Sequence, residues 1–406
     1  MHQPQEPHYS FTIPSIHDDT TLDCRIYHPR ILSAPKSQNN ENYEHWKHKG
    51  IVMAHPYAPM GGSYDDRVVG IVVGEFLALG YVVGTFNFRG AHGSKGRTSW
   101  SGKPEVDDHI SFAAFFMHYL SYLEPFPSPD ISFPLEQSPV SQQTTKQTDI
   151  SRTSTKDPAV VVLGGYSYGS LILKHLPPVP SILQPFVAPI NGSAASEILL
   201  RAHRLADQSN LEWINLARDH EQRKKHGHEN NLPVTMGGEE TSPDMRRGSR
   251  ELRRSMDGRR SLNVGRKMRS LSHQRRKDSN SQTPLESSAK KLLISMPNVK
   301  YLLVSPLTPP ISTLAAPGLG YKFWNKSPHG CQEVIGKHVS LAIYGDQDIF
   351  TSTRKMQHWA EQLRSASDSR FSHVQVVGAG HFWHEHGVEE KLRNALKGWE
   401  FKIRDT

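Results

Sequence analysis

Short runs of apolar, often β-branched residues alternate along this chain with longer segments that carry apolar residues at helical spacing. Gly50–Ala54 and Ala159–Leu163 are almost entirely apolar, which is typical of strands buried on both faces. Arg67–Leu79 and Glu105–Leu123 place apolar residues three and four positions apart, which predicts amphipathic helices. This alternation predicts an α/β fold with a mostly parallel central sheet and helices on both of its faces.

Further segments of both kinds follow the same pattern. Additional strands are predicted at Ser10–Ile13, Leu22–Tyr27, Tyr81–Asn87, Val299–Val304, His338–Tyr344 and His373–Val377. Helices are predicted at Thr353–Leu363 and Val388–Lys402, and residues 195–218 fit one or two amphipathic helices. In such a sheet the reactive groups lie at the carboxyl ends of the strands, so we expect a site in the loops that follow them.

Two polar stretches interrupt this alternation, and their composition predicts disorder. Residues 128–157 are rich in Ser, Thr, Gln and Pro, and residues 219–297 contain few apolar positions. The chain therefore divides into an N-terminal part of the core (1–127), a disordered insert (128–157), a central strand and helix (158–176), a candidate helical lid (177–218), a basic and mostly disordered insert (219–297) and a C-terminal part of the core (298–406).

The positive charge of the chain is concentrated in the second insert. The net charge is +8, but residues 246–277 alone contain 13 Lys and Arg against two acidic residues, a local charge of +11 that leaves −3 for the rest. This distribution argues against a nucleic-acid-binding fold. Arginine pairs precede Ser255 and Ser261, so the candidate partners at 246–279 are a basophilic kinase and a reader of phosphoserine. Solvated low complexity is the favoured explanation of this segment, and weak binding to an anionic membrane is a further alternative.

Cysteine content and apolar run length indicate the compartment. The only cysteines, Cys24 and Cys331, provide no disulfide framework, which favours a reducing environment. The N-terminal residues lack the apolar segment of a signal peptide, and no run approaches the roughly 20 apolar residues that cross a bilayer. The sequence therefore predicts a cytoplasmic protein without a transmembrane segment.

Candidate chemistry begins at residues 165–169, Gly-Tyr-Ser-Tyr-Gly, which connect a predicted strand to the apolar helical turn at 171–173. A G-x-S-x-G sequence in this context is typical of a nucleophile elbow, a strained turn that needs small residues two positions before and after Ser167. The serine hydroxyl then lies at a helix N-terminus, which favours developing negative charge. The alternative is a Gly-rich turn with a buried serine.

A nucleophilic serine needs a base, and the base needs a carboxylate that orients it. His381 follows the Gly-Ala-Gly turn after the last predicted strand, so it is favoured as the base over His384 and His386. For the acid, Asp348 is favoured over Asp346, because the third residue after Gly345 lets the carboxylate turn back under the histidine. Asp346 would then cap the loop.

The three histidines at 381, 384 and 386 also resemble a metal-binding spacing, but the sequence contains no second cluster of ligands to complete a site. We therefore expect neither a metal nor another cofactor. For the oxyanion, two backbone amides are required. Tyr168 N–H is one candidate and Tyr57 N–H the other, since Pro56 has no N–H to donate. An ordinary turn at His55-Pro56 is the alternative.

With these motifs, which occur in the order typical of that family, the chain resembles the α/β-hydrolase superfamily in its serine-hydrolase form. It is most similar to the small hydrolases with an A-H-P-type oxyanion loop, which are related to dienelactone hydrolase and prolyl-oligopeptidase-like enzymes. The resemblance covers roughly residues 50–120, 158–176 and 298–402 and implies the α/β-hydrolase fold with Ser167, Asp348 and His381 as the triad. The inserts are longer than this compact family pattern needs. The matching motifs are Ala54-His55-Pro56 with Gly61-Gly62-Ser63, Phe86-Asn87-Phe88-Arg89-Gly90, Gly165-Tyr166-Ser167-Tyr168-Gly169, Gly345-Asp346-Gln347-Asp348 and Gly378-Ala379-Gly380-His381-Phe382.

The substrate is less well defined by the sequence. Tyr166 and the loop residues Tyr321, Phe323 and Trp324 are candidate contacts for an acyl or alkyl group, although the loop at 305–330 could equally pack on its own core. We expect hydrolysis of a small carboxylic ester or thioester, since no additional domain that would position a peptide is evident. A catalytically idle scaffold that acts through its phosphorylatable insert is the alternative.

Overall fold

The computed structural model describes residues 6–33, 46–125, 158–229, 294–320 and 332–404. By its internal contacts the chain forms two units, Met1–Glu221 with Lys290–Thr406, and Gln222–Ala289. In the second unit the structure describes only residues 222–229, which are helical. The predicted insert at 128–157, the candidate kinase segment at 246–279 and the residues Tyr321, Phe323, Trp324 and Cys331 lie outside the described residues, so the predictions about them stay predictions.

An eight-stranded sheet forms the centre of the first unit, with the strand order β1-β2-β4-β3-β5-β6-β7-β8. β1 pairs with β2 and β2 with β4 in antiparallel fashion, whereas all the remaining pairs are parallel. The strands are β1 (Tyr9–Pro14), β2 (Thr21–Tyr27), β3 (Lys49–Ala54), β4 (Val82–Phe86), β5 (Val160–Tyr166), β6 (Asn298–Val304), β7 (Ser340–Gly345) and β8 (Phe371–Val376).

Helices connect the parallel strands and cover both faces of the sheet. Within the described ranges they are α1 (Arg30–Ser33), α2 (Arg67–Ala78), α3 (Lys103–Tyr122), α4 (Tyr168–Leu173), α5 (Val179–Leu183), α6 (Ala194–Glu229), α7 (Ile311–Ala315), α8 (Pro317–Gly320), α9 (Gln332–Lys337), α10 (Thr353–Arg364) and α11 (Val388–Ile403). The predicted α/β-hydrolase architecture is confirmed, and the predicted core strands and helices agree with the observed bounds within three residues.

The core consists of two apolar layers separated by the sheet. Alternate residues of β5 point to opposite faces, so Val161 contributes to the layer beneath α3 while Val162 contributes to the other. The first layer contains the aromatic side chains of α3, and the second contains the apolar faces of α2 and α11. Burial on both faces explains why these strands are apolar throughout.

Helix α6 differs from the prediction in length. It continues as a single helix to Glu229, so the boundary predicted at 218 was too early. Its Arg201 guanidinium donates to the carbonyl of Thr12 in the edge strand β1, and its Ser209 hydroxyl bonds the hydroxyls of Tyr9 and Tyr119. These contacts cover a sheet edge that would otherwise expose unpaired backbone groups. The described part of α6 therefore packs along β1, and the candidate lid at 177–218 stays a prediction.

Candidate active site

Ser167 lies in the turn between β5 and α4 with a backbone φ of 53°, in the left-handed region that non-glycine residues rarely occupy. The turn is tight. A Cβ atom added to Gly165 would lie 2.4 Å from the carbonyl carbon of Gly169, and one added to Gly169 would lie 2.5 Å from the carbonyl oxygen of Ala54. These contacts explain why the positions two before and two after the serine are glycine. The sequence thus forms a nucleophile elbow.

The structure brings Ser167, His381 and Asp348 together although they are far apart in the sequence. The imidazole Nε2 of His381 lies 2.8 Å from Ser167 Oγ, and its Nδ1 lies 2.6 Å from Asp348 Oδ2. A carboxylate can only accept, so Nδ1 carries the proton and Nε2 is the acceptor for the serine hydroxyl. All three side chains are buried. This is the arrangement in which an imidazole can remove a proton from a serine.

The two candidate carboxylates have different partners. Asp348 Oδ1 accepts hydrogen bonds from the amides of Phe350 (2.8 Å) and Thr351 (3.0 Å), which leaves Oδ2 directed at His381. Asp346 Oδ1 instead accepts from the amide of Gly378 at 2.7 Å and so connects the loop after β7 to the loop after β8. The geometry therefore selects Asp348 as the partner of His381 and gives Asp346 a structural role in the loop.

The two candidate oxyanion amides lie at the ends of neighbouring strands β3 and β5. The rings of Tyr57 and Tyr168 pack against each other with centroids 5.0 Å apart. In the part of the chain that the structure describes, neither amide N–H has an acceptor. The backbone of Tyr57 is extended (φ −62°, ψ 115°) and leads into a short 3₁₀ helix at Ala58–Met60. Both amides are thus free to bind an oxygen atom.

His55 supports this loop in a way that the sequence analysis missed. Its Nδ1–H donates to the carbonyl of Pro56 (2.6 Å), while its Nε2 accepts from the amide of Phe88 (2.9 Å). Burial lowers the pKa of His55 to about 4, so the ring stays neutral near pH 7 and keeps Nε2 as an acceptor. The signal in the sequence was a histidine at the end of a fully buried strand, where an unpaired imidazole would be costly.

The loop that carries His381 is held by buried hydrogen bonds. The hydroxyl of Tyr166 donates to the carbonyl of His381 (2.9 Å), and the indole N–H of Trp383 donates to Ser305 Oγ (2.9 Å). Arg67 Nη1 donates to the carbonyl of Trp383 at 2.6 Å. Tyr166 is buried, as are Ser167 and His381, and its predicted contact with the substrate stays a prediction. It supports the histidine loop from behind.

Charged residues fix the loop between β4 and α3, and of these the sequence analysis listed only Arg89 as part of a motif. Arg89 makes a bidentate pair with the buried Asp108, through Nε (2.9 Å) and Nη2 (2.7 Å), and also contacts Asp18. Arg89 lowers the pKa of Asp18 to about 2. Farther along this loop, Glu105 accepts from the amide and hydroxyl of Ser99, each at 2.5 Å. Arg89 is therefore a structural residue.

Aromatic side chains surround the imidazole. The ring of Phe350 lies 4.6 Å from that of His381, and Phe382 lies 5.4 Å from it. On the other side of Ser167, Phe88 contacts the ring of Tyr168 with centroids 6.0 Å apart. The exposed His384 stacks on Phe382. The surroundings of the serine are thus apolar, and they include residues that the sequence analysis did not select.

Comparisons with known proteins give a likeness of shape only. No protein-family model and no curated protein matches the chain. Among solved structures, an α/β serine hydrolase homologue from Coxiella burnetii has 15% identity and a TM-score of 0.41, covering 97% of this chain and 98% of that one. An α/β serine hydrolase without lid from Xanthomonas campestris has 13% identity and a TM-score of 0.43, with 98% and 97% covered. An esterase from Pyrococcus furiosus has 10% identity and a TM-score of 0.41, with 97% and 89% covered.

Values this low carry no argument about activity, so the functional assignment depends on the geometry of the chain itself.

Over the ranges that the structure describes, no helix combines the length and the apolar character needed to cross a bilayer.

Proposed function

We propose that the protein is a serine hydrolase that cleaves a carboxylic ester or thioester through an acyl-enzyme on Ser167. The observation that carries this proposal is the alignment of Ser167 Oγ, the His381 ring and the Asp348 carboxylate at 2.8 Å and 2.6 Å. The buried position of these groups supports it further, because charge interactions are stronger where water is excluded. The strained serine turn presents Oγ at the start of α4.

In the first half of the reaction, Ser167 Oγ bonds to the carbonyl carbon of the substrate while its proton moves to Nε2 of His381. The negative charge that develops on the carbonyl oxygen is stabilised by the amides of Tyr57 and Tyr168. The Asp348 carboxylate stabilises the imidazolium. The bond to the leaving alcohol or thiol then breaks, and His381 Nε2 returns the proton to that leaving group.

In the second half a water molecule replaces the alcohol. His381 Nε2 takes a proton from the water as its oxygen bonds to the acyl carbon. The Oγ–carbon bond breaks, the proton passes back to Ser167 Oγ, and the carboxylic acid leaves. The two halves use the same three side chains, so each of them is required for turnover.

A fluorophosphonate probe tests this proposal directly, because it reacts with an activated serine irrespective of the natural substrate. We expect labelling of the wild-type chain, its loss in Ser167→Ala and its retention in Ser365→Ala, an exposed serine at the end of α10. Absence of labelling in the folded wild type would contradict the proposal and favour an idle scaffold. Equal labelling of wild type and Ser167→Ala would show that another residue reacts.

A further inference from the structure

Several large apolar side chains are exposed in the connections that follow the strands of the sheet. Of the twelve that are exposed among the described residues, six lie in the connections that follow strands, with exposed fractions from 41% to 78%, and one of the six, Leu314, lies in the short helix α7. Such side chains are normal when scattered, but a group around one site indicates a binding surface. We call these six residues the apolar rim: Met60, Trp100, Leu314, Ile349, Val377 and Phe382.

The sheet topology places the apolar rim at the edge of the sheet that carries Ser167. Its members follow β3, β4, β6, β7 and β8, which are parallel to β5, and the carboxyl ends of parallel strands lie at one edge of a sheet. Ile349 is the residue after Asp348, and Phe382 is the residue after His381. The loop after β4 also contacts the segment after β6, since a Cβ on Gly102 would lie 2.8 Å from that of Ala316.

The exposure of these side chains determines what kind of ligand the rim fits. A groove for a single acyl chain would enclose the residues that line it, whereas Trp100 and Ile349 are more than three-quarters exposed. Ser167 and His381 are buried at the same edge of the sheet. Apolar side chains that project from five separate loops at the same edge as a recessed site are suited to an extended apolar surface.

The charges on the same loops indicate the sign of that surface. The exposed acidic residues in these connections, or in the first three residues of the helix that follows, are Glu385, Glu390 and Asp65, which is paired with Arg25. Trp100 has basic residues on both sides, a combination that suits a membrane interface because indole and long basic chains place an apolar body below a polar end. By the same criterion the exposed basic residues are more numerous: Arg67, Lys95, Arg97, Lys103, Arg354 and Lys355.

We propose that the apolar rim docks on an anionic lipid surface and that the ester cleaved at Ser167 is drawn from that surface. The second part of this inference rests on the proposed hydrolase function, whereas the docking does not. The basic side chains would approach lipid headgroups while the apolar tips enter the boundary between headgroups and acyl chains. The buried Ser167 would then face the lipid surface.

Binding to sealed vesicles of phosphatidylcholine and phosphatidylserine (4:1), measured by sedimentation, tests the docking. All proteins carry Ser167→Ala in the full chain, so hydrolysis plays no part, and all retain the basic insert. The rim variant is Trp100→Gln, Leu314→Gln and Val377→Gln. The matched control is Ile190→Gln, Met296→Gln and Phe401→Gln, three exposed apolar residues outside these loops. Unfolding midpoints of the two triple variants confirm that both are folded.

We expect the rim variant to bind at least tenfold more weakly than the parent, and the control variant to bind within twofold of it. Any of three results would overturn the proposal. These are equal binding by the rim variant and the parent, an equal loss of binding in both triple variants, and no binding by the parent. A dimer of the parent that the rim variant abolishes, without vesicle binding, would assign the rim to a second copy of the chain. Fluorophosphonate labelling of the unmutated serine tests the hydrolase function separately.

Discussion

The Tyr166 hydroxyl donates a 2.9 Å hydrogen bond to the carbonyl of His381 and so connects the residue before Ser167 to the histidine that contacts the Ser167 hydroxyl. Tyr166 ends β5, and its position is determined by the sheet. His381 lies in a loop after β8, three strands away in the sheet order. The hydrogen bond therefore fixes this loop to the central strand. The position of the loop determines the distance between Ser167 Oγ and His381 Nε2.

Tyr166→Phe should lower kcat for a p-nitrophenyl ester about tenfold and leave KM nearly unchanged, because only the placement of the imidazole changes. The free energy of unfolding should fall by about 1 kcal/mol for the lost hydrogen bond. The matched control is Tyr344→Phe, whose buried hydroxyl has no partner among the described residues and should cost nothing. A kcat for Tyr166→Phe equal to that of the control would show that the bond does not position His381.

Asparagine substitutions separate the two aspartates after β7. Asp348→Asn should reduce kcat by about 10⁴. The asparagine oxygen would stay on the amides of Phe350 and Thr351, so its NH2 group would donate to Nδ1 of His381 and favour the wrong tautomer. Asp346→Asn should have less than a threefold effect, since its side-chain oxygen can still accept from the Gly378 amide. Steady-state kinetics of the two variants provide the measurement. Similar losses in both variants would contradict the assignment of Asp348.

The glycines of the elbow should not tolerate a methyl group. Gly165→Ala would place Cβ 2.4 Å from the Gly169 carbonyl carbon, so we expect little soluble protein, and no fluorophosphonate labelling of what folds. Gly70→Ala is the control. Gly70 lies within α2, nothing lies within 4 Å of its added Cβ, and alanine there should stabilise the fold by about 0.5–1 kcal/mol. Normal labelling of Gly165→Ala would mean that the turn is less tight than described.

Buried histidines should make the protein sensitive to acid. Burial lowers the pKa of His109 to about 3, and within the described chain neither ring nitrogen has a partner. The unfolded chain, with an ordinary histidine pKa near 6.5, therefore binds more protons below that pH. The stability that a neutral His109 contributes is present above about pH 6.5 and is lost as the pH falls toward 3.

His109→Leu should remove this loss and also relieve the unpaired ring nitrogens, a gain of about 1 kcal/mol at pH 7.5. Urea unfolding at pH 7.5 and pH 5.0 is the measurement, and the variant should lose less stability between these conditions than the wild type does. His386→Leu replaces an exposed histidine after β8 and is the control for the substitution itself. An unchanged dependence in His109→Leu would contradict the burial argument.

Local patterns in the sequence were sufficient for much of the fold. A continuous apolar run predicts a strand buried on both faces, and a period of 3.6 residues predicts a helix with one buried face, so β5 and α2 could be recognised directly. The elbow was recognisable as a motif because a turn that brings residue 165 against residue 169 excludes a side chain at position 165. Constraints of this kind act between neighbours in the chain and therefore leave a mark in the sequence, whereas the glycine at position 169 is required by the carbonyl of Ala54 in β3.

The tertiary structure decided what depends on contacts between distant residues. Asp346 and Asp348 follow the same strand, and only the positions of Gly378 and His381 assign their roles. The place of α6 along β1 and the burial of Tyr166 likewise depend on partners far away in the sequence. The sequence neighbours of a residue carry no information about which remote group lies within 3 Å of it. The arrangement of this site depends on such contacts between remote groups.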